Sequence, residues 1–532
     1  MGSTLFTRRQ VEGMIAEGKA IVIVDDMVLR LDSWLHLHPG GERAILHMVG
    51  KDATDEVNAL HGADTRLRMN KFQIGRIGSD WLNFQPPIHG GVFRPYVGDE
   101  NEDSFSEGEV QQQGSVEGHY RSASPTSSDC SDDRGFLLDP SIRRRKGGSH
   151  DDLEFDLAKY PSLDRETQKH IVMKYRELDQ RIRKEGLYQC CYSSYLIELA
   201  RYLTILLTSL YLLHLGWYKL SALFLGVFWH QITFTAHDSG HMGITHDFTI
   251  DTCIGVFIAD FCGGLSLGWW KLSHNVHHII TNEPDHDPDI QHLPFFAVSH
   301  RFFEGLFSTY YRRVLPYDAV ARALIPLQNW LYYPILCFGR FNLYRLSWEH
   351  LALGLGPKRG IAWWHRWLEI CGMIVFWYWF GYQLLYKSIP TNWDRFAFVM
   401  ISHIVTMPLH VQITLSHFAM STVDLGARES FPQKMLRTTM DVDCPQWLDF
   451  VHGGLQFQAI HHLFPRIPRH NLRRTQKLVI EFCEEVKVPY SIYGFYDGNK
   501  EIISHLREIG KQARIFNECR KSIIEEGKYG AQ

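Results

Sequence analysis

The chain has no C-x-x-C pair among its ten cysteines, no apolar core at its N-terminus and no large net charge of either sign. Scattered cysteines without paired spacing predict reduced thiols that face the cytosol. The adjacent Cys190 and Cys191 would strain to bridge each other. The opening "MGSTLFTRRQVEGMIAEG" predicts no cleaved signal peptide. Phe6 stands where a myristoylation pattern needs Ser or Thr. A net charge of −4 argues neither for nor against a nucleic acid, and no nucleic-acid partner is expected.

What is present divides into three unlike segments, so the mean hydropathy of −0.19 describes none of them. At about 150 residues per domain, 532 residues hold more than one core. Residues 5–80 read as a small folded domain, with "AIVIV" (20–24) as a buried strand followed by short helices. Residues 97–160 are rich in Ser, Gly, Asp and Glu and poor in large apolar side chains. Such a segment cannot bury enough surface to offset its ordering entropy, so it is expected to be a disordered linker. Its Ser-rich part offers phosphorylation sites, and Arg143, Arg144, Arg145 and Lys146 offer a contact to anionic lipid; a solvated spacer is the plainer reading of both.

Residues 190–500 hold the apolar runs. Four of them, 202–218, 220–236, 370–386 and 396–415, are long enough to cross a ~30 Å hydrocarbon core. The stretches 250–270 and 319–344 are interrupted and read as interfacial. Aromatic content of 13%, with 15 tryptophans, suits long helices anchored at an interface. Buried soluble helices are the competing reading, and aromatic and basic flanks on four runs weigh against it. If the spans pair as two hairpins, residues 190, 240, 360 and 420 share one side. The loop between the hairpins carries Arg340, Arg345, Lys358, Arg359 and Arg366, which predicts the cytosolic side.

Two histidine constellations follow. In "LHLHPGGERAILHMVGKDATDEVNALH", His38 precedes a Pro-Gly-Gly turn and His61 ends the stretch. Neutral imidazoles from opposite walls can ligate one haem iron axially; two surface histidines beside a turn is the bland alternative. His36, His47 and His403 have no role in this reading. The stretch resembles cytochrome b5 over residues 5–80, which implies a b-type haem (heme b) held by His38 and His61 in a one-electron carrier.

The second constellation is "HDSGH" (His237, His241), "KLSHNVHH" (His274, His277, His278) and "LQFQAIHHLFP" (His461, His462). The i, i+3 and i+4 spacings put each group on one helix face, and parity puts the three groups on one side of the membrane. Imidazole suits iron, zinc and copper, and zinc sites are usually complete with four ligands. Seven imidazoles therefore suggest two metals, and a haem donor on the same chain favours redox-active iron. His230, His246 and His410 read as polar residues at helix ends.

These boxes resemble those of the integral-membrane fatty-acyl desaturases. The N-terminal cytochrome b5-like domain and Gln458 opening the third box narrow the resemblance to the fused front-end and sphingolipid desaturases, most of all the fungal-type Δ8 group. The fold class implied is an α+β cytochrome b5-like haem domain, a disordered linker, and an all-α integral-membrane domain with about four transmembrane helices. The resemblance implies a diiron centre on His237, His241, His274, His277, His278, His461 and His462. It adds a ligand near the end of the fourth span, for which His417 is the candidate although Ser416 replaces the family's usual Asn, and Gln458 as a direct or water-mediated ligand. It also implies dioxygen and NADH-cytochrome b5 reductase as partners, an endoplasmic reticulum membrane location, and a trans Δ8 double bond placed in the long-chain base of a sphingolipid such as ceramide. The linker would let the haem domain swing to the metal face. Trp269, Trp270, Phe295 and Phe296 offer a lining for the lipid channel or an interfacial anchor. The alternatives are a front-end fatty-acyl desaturase or lipid hydroxylase on the same scaffold and, from another class, a non-catalytic haem membrane protein.

Overall fold

The computed structural model describes residues 4–78, 80–96 and 149–529. The N-terminal part begins with β1 (Leu5–Phe6) and α1 (Arg8–Ala16). Thr7 caps α1: its hydroxyl accepts from Gln10 N at 3.2 Å while its own N–H donates to Gln10 Oε1 at 2.9 Å. That reciprocal pair satisfies donors a helix start leaves open. β2 (Ile21–Val24), buried at every position, pairs with β3 (Met27–Arg30) through Asp25 and Asp26. Their φ values of 48° and 63° are those a two-residue turn needs to match the strand twist. Then come α2 (Glu42–Leu46), α3 (Thr54–Leu60), α4 (Ala63–Met69) and β4 (Gln73–Ile77). The sheet order is β1-β4-β3-β2, with β1 parallel to β4 and the other pairs antiparallel. The α+β expectation for this part holds.

The expected linker and its Arg143 to Lys146 run lie outside the described residues as far as 148. Its last part does not match expectation. Composition assigns residues 149–160 to the linker, yet they form α5 (Ser149–Lys159). Its Asp156 is buried and accepts from the Ser421 hydroxyl and from Arg437 Nη1 at 3.1 Å. A distant buried guanidinium holds this helix, and local composition carries no trace of that partner. The helical part likewise starts before residue 190, with α6 (Arg165–Lys184), and runs past 500.

After α6, α7 (Tyr192–His214) turns at Gly216, φ 77°, into α8 (Tyr218–Gly240), the tight hairpin expected. α9 (Phe248–Val256) runs on through wider turns to Cys262, then bends by 119° into α10 (Leu267–Ile279). Later come α11 (His365–Phe376), extended in wide turns to Ser388, α12 (Asn392–Ile404), α13 (Met407–Leu415), α14 (Phe431–Thr438), α15 (Gln458–Leu463), α16 (Arg469–Val486) and α17 (Phe495–Tyr529). Two small sheets, β5 (Leu306–Ser308) with β6 (Arg313–Leu315) and β7 (Asp441–Asp443) with β8 (Ile492–Gly494), make this part mostly rather than wholly helical.

Among the described residues, three helical stretches are long and apolar enough to cross a membrane, Tyr192–His214, Gly360–Ser388 and Asn392–Leu415; the bent α9–α10 pair makes a fourth if it counts as one span. The run 220–236, expected as a span, lies in α8. Its 23 residues reach about 34 Å, but the buried His230 and Gln231 near its middle make it less apolar than the other three. The stretch 250–270, expected at the interface, belongs to the bent pair.

The N-terminal domain is seated on α10. One buried cluster joins Val22, Ala44, Ile45 and Met48 to Val276, Ile279, Ile280 and Tyr310. Around it Arg176 Nε meets Asp55 Oδ1 at 2.7 Å and Asn83 Nδ2 donates to Ala427 O at 3.1 Å. Exposed pairs add little, so the apolar cluster carries the docking. The turn at Gly40 and Gly41 meets α10 closely. A Cβ on Gly40 would lie 2.9 Å from Asn275 Nδ2, and one on Gly41 2.8 Å from Leu272 Cδ2, at a φ of 90° that glycine tolerates best. The linker thus tethers a domain that is docked rather than adrift.

Asp156→Ala leaves buried Arg437 with Glu429 as its remaining carboxylate. Leaving the Arg437 Nη1 and Ser421 contacts without their carboxylate should destabilise the helical part by about 1–3 kcal/mol. Thermal unfolding in detergent checks this, and an unchanged midpoint would mean that α5 is not docked.

Candidate functional site

His38 precedes the Pro-Gly-Gly turn that leads into α2, and His61 caps the end of α3. Their rings lie 6.1 Å apart between centroids, which leaves room for a metal ion about 2 Å from a nitrogen of each. His38 Nδ1 donates to Gly41 O at 2.8 Å and His61 Nδ1 to Val57 O at 3.3 Å. Each ring therefore keeps Nε2 as its free lone pair. Burial lowers both from the usual histidine range, His61 to about 3, so both are neutral ligands at pH 7.

α10 connects this cleft to the second cluster. Leu272, Asn275, Val276 and Ile279 recur at helical spacing on the face that meets the N-terminal domain. Trp270, His274, His277 and His278 form the other stripe. The latter meets histidines from the end of α8, the end of α13 and α15. His237, His241, His274 and His461 bring one ligand atom each within 4.8 Å of one another, and so do His277, His417 and His462. His278 sits between the two groups, with ring centroids 4.7 Å from His241, 4.8 Å from His461 and 4.2 Å from His462. The seven box histidines come together, and His417 joins them. Gln458 is buried one turn ahead of His461 and His462 on α15.

The cluster fits metal better than a packed core. Five of its nitrogens, His241 Nε2, His278 Nδ1, His417 Nδ1, His461 Nε2 and His462 Nε2, are buried without a hydrogen-bond partner. Buried polar atoms are rarely left so unless an ion or water meets them. Burial first, then the neighbouring imidazoles, holds His461 and His462 well below the usual range, leaving them neutral donors of lone pairs. The groups of three and four ligands offer two candidate metal positions.

A shell of partners orients the rings. His277 Nδ1 donates to Asp287 Oδ2 at 2.8 Å, and Asp287 also takes Asn282 N at 2.7 Å. Asp289 Oδ2 lies 3.4 Å from His274 Nδ1, and its other oxygen accepts from Ser273 at 3.0 Å. Thr281 Oγ1 lies 3.2 Å from His462 Nδ1. Asp238, the charge between His237 and His241, is buried against Arg469, whose guanidinium also reaches Glu198, Thr235 Oγ1 (3.1 Å) and Phe234 O (3.1 Å). Sequence signals the Asp pair through "HDPDI" but gives no sign of Arg469, which lies 231 positions from Asp238.

The histidines set aside stay apart. His246 gives its two nitrogens to Met242 O (2.7 Å) and Tyr188 O (2.8 Å). His36 pairs with Glu42 at 2.9 Å, and His403 stacks on Phe341 at 4.6 Å. His230 is buried and His410 half-buried, both within helices rather than at their ends. Of the four aromatics, Trp270 packs on the cluster, stacked on His274 at 4.5 Å. Phe296 is core against Tyr332 and Phe418, and Phe295 is exposed, so these two do not line one channel.

Two family descriptions match: "Cytochrome b5-like Heme/Steroid binding domain" over residues 7–78 and "Fatty acid desaturase" over residues 215–494. The chain is 59% identical to a Delta 8-(E)-sphingolipid desaturase of Emericella nidulans, covering 99% of this chain and 98% of that one. It is 49% identical to the same-named protein of Candida albicans, over 97% of each. A Delta(8)-fatty-acid desaturase of Helianthus annuus is 38% identical over 65% of this chain and 74% of its own.

Asp287→Asn should weaken metal retention by about 10–100-fold, as loss of an outer carboxylate does. Iron counted per chain after desalting reads this, with the absorption of the His38–His61 site unchanged. His38→Ala should do the reverse, losing low-spin bis-imidazole absorption and keeping the other metal. If either variant loses both, the two sites are not independent.

Proposed function

We infer, for a chain that belongs to the fatty acid desaturase family and carries a cytochrome b5-like domain at its N-terminus, that it places an (E) double bond at position Δ8 of a sphingolipid long-chain base. One observation carries the geometric part of this reading: a single helix, α10, holds His38's turn on one face and the eight-imidazole cluster on the other. The substrate comes from the relatives. Those named for Δ8-(E)-sphingolipid desaturation align from end to end, whereas the fatty-acid relative aligns over two thirds of the chain.

The residues divide the work. His38 and His61 hold haem. His237, His241, His274 and His461 hold one iron, His277, His417 and His462 the other, with His278 between them and Gln458 as an outer ligand. When bound, the two groups would supply one-electron transfer and the dioxygen chemistry that turns two adjacent methylenes into a double bond; the two hydrogens removed from the methylenes, one dioxygen, two electrons and two protons leave as two waters. Asp287 and Asp289 keep His277 and His274 in the tautomer that turns Nε2 inward. Arg469 neutralises Asp238, so the charge between the first two ligands does not disturb the imidazoles. Burial excludes bulk water from the rings.

The protein is a membrane protein, and we place it in the endoplasmic reticulum with the haem domain and the boxes facing the cytosol. Lys358 and Arg359 are exposed on the loop that packs on Leu37 at Gly360, which puts basic charge beside the haem domain. Arg340, counted in the same charge bias from sequence, is buried over the Trp229 ring at 4.1 Å and does not contribute to it. NADH-cytochrome b5 reductase is the electron source that this haem domain suits, and the unit at residues 5–80 is its receiving end.

Expression in a host that lacks the activity tests the reading. Long-chain bases and fatty acids are analysed separately. Δ8-unsaturated bases should appear, and His241→Ala should abolish them. Unsaturation confined to fatty acids would replace the sphingolipid reading with the acyl one, and new hydroxyl groups would replace it with a hydroxylase.

A further inference from the structure

Three histidines outside the desaturase cluster meet at the seam between the two domains. His47 follows α2, His89 lies on the segment leaving the N-terminal domain, and His286 opens "HDPDI" after α10. Their ring centroids are 4.9 Å (His47–His89), 5.5 Å (His47–His286) and 4.0 Å (His89–His286) apart. One ligand atom from each lies within 4.8 Å of the other two. A carboxylate closes the group: Glu283 Oε2 is 3.8 Å from His89 Nδ1 and 3.9 Å from His286 Nε2. That oxygen and His47 Nε2 are both buried without a hydrogen-bond partner. Glu283's other oxygen takes Lys434, and His286 Nδ1 is satisfied by Thr309 Oγ1 at 3.0 Å, which turns Nε2 inward.

We propose that His47, His89 and His286 form a zinc site that pins the haem domain to the desaturase domain, with Glu283 at its edge. Three imidazoles fill three of zinc's four positions, and Glu283 or a water the fourth. Burial lowers all three histidines, so each offers a lone pair at neutral pH. A hydrogen-bonded core is the competing account, but it satisfies only one contact, His47 Nδ1 to His89 Nε2 at 2.7 Å. It leaves the Glu283 oxygen beside His286 Nε2 unexplained. The ion would replace the shared proton and part those nitrogens to roughly 3.3 Å, the edge of a tetrahedron with bonds of 2.0–2.1 Å. Lys434 and Lys51 are the cations facing the site, and Glu283 and Asp424 the anions. His47 and His89 come from one side of the seam and Glu283 and His286 from the other, so zinc binds the docked arrangement and favours it.

The full-length chain, purified in detergent, is equilibrated with zinc chloride and desalted, and zinc and iron are counted per haem. About one zinc per chain should remain. His89→Ala and His286→Ala should each lose it by tenfold or more, with haem absorption unchanged, while His241→Ala keeps it; that control separates this zinc from stray metal in the iron cluster. His89 lies between the domain cores, so His89→Ala decides the matter if His286→Ala fails to fold. No bound zinc in the parent chain, or zinc that survives His89→Ala, overturns the proposal.

Discussion

Everything in this chain is arranged around α10, thirteen residues that must serve two partners at once. Its Leu272–Asn275–Val276–Ile279 stripe is buried by the N-terminal domain, and its Trp270–His274–His277–His278 stripe is buried by the histidine cluster. Because a helix presents residues three and four apart on one face, His274, His277 and His278 cannot move without moving the docking face. The cleft that holds His38 is thereby kept at a set distance from the rings that await electrons. A Cβ at Gly40 or Gly41 would press on the ends of the Asn275 and Leu272 side chains, and at Gly40 on the His38 ring as well; at Gly41 the φ of 90° itself favours glycine.

The cluster is chemically consistent because its charges are settled by groups around it rather than within it. Six of the eight imidazoles are buried, and burial with the neighbouring rings holds His241, His278, His417, His461 and His462 well below the usual range, which leaves lone pairs instead of cations. Carboxylates stay one bond further out, on Nδ1 of His274 and His277 or against Arg469. An unpaired buried Asp238 would cost several kcal/mol and would draw a proton onto a neighbouring ligand. With the charges settled outside the cluster, the rings themselves stay free for metal.

Much of this was legible in the chain itself, because it is written in short range. The His-Pro-Gly-Gly turn, the i, i+3, i+4 spacings of the boxes and "AIVIV" all depend on neighbours within a helical turn or a strand. What escaped was long-range. Asp156 looks like one more acidic linker residue until Arg437 is seen beside it. His47 and His286 look idle until the two domains meet. Arg340 counts as a loop charge until the Trp229 ring covers it. α8 reads as an ordinary span because the contact its Gln231 makes, Nε2 donating to Phe450 O at 2.8 Å, exists only in the packed bundle. The bent α9–α10 pair, interrupted by Asp260 and glycines, carries the same period as an interfacial helix.

The central claim is that electrons pass within one docked chain, from the His38–His61 haem across α10 to the cluster. Stopped-flow reoxidation of the pre-reduced enzyme in detergent, mixed with dioxygen and sphingolipid, measures that step at the haem. The account predicts a first-order rate independent of enzyme concentration, lost in Leu272→Arg, whose longer charged side chain would hold the domain off α10 while leaving haem absorption intact. A rate that rises in proportion to enzyme concentration, or one that Leu272→Arg leaves unchanged, would contradict it.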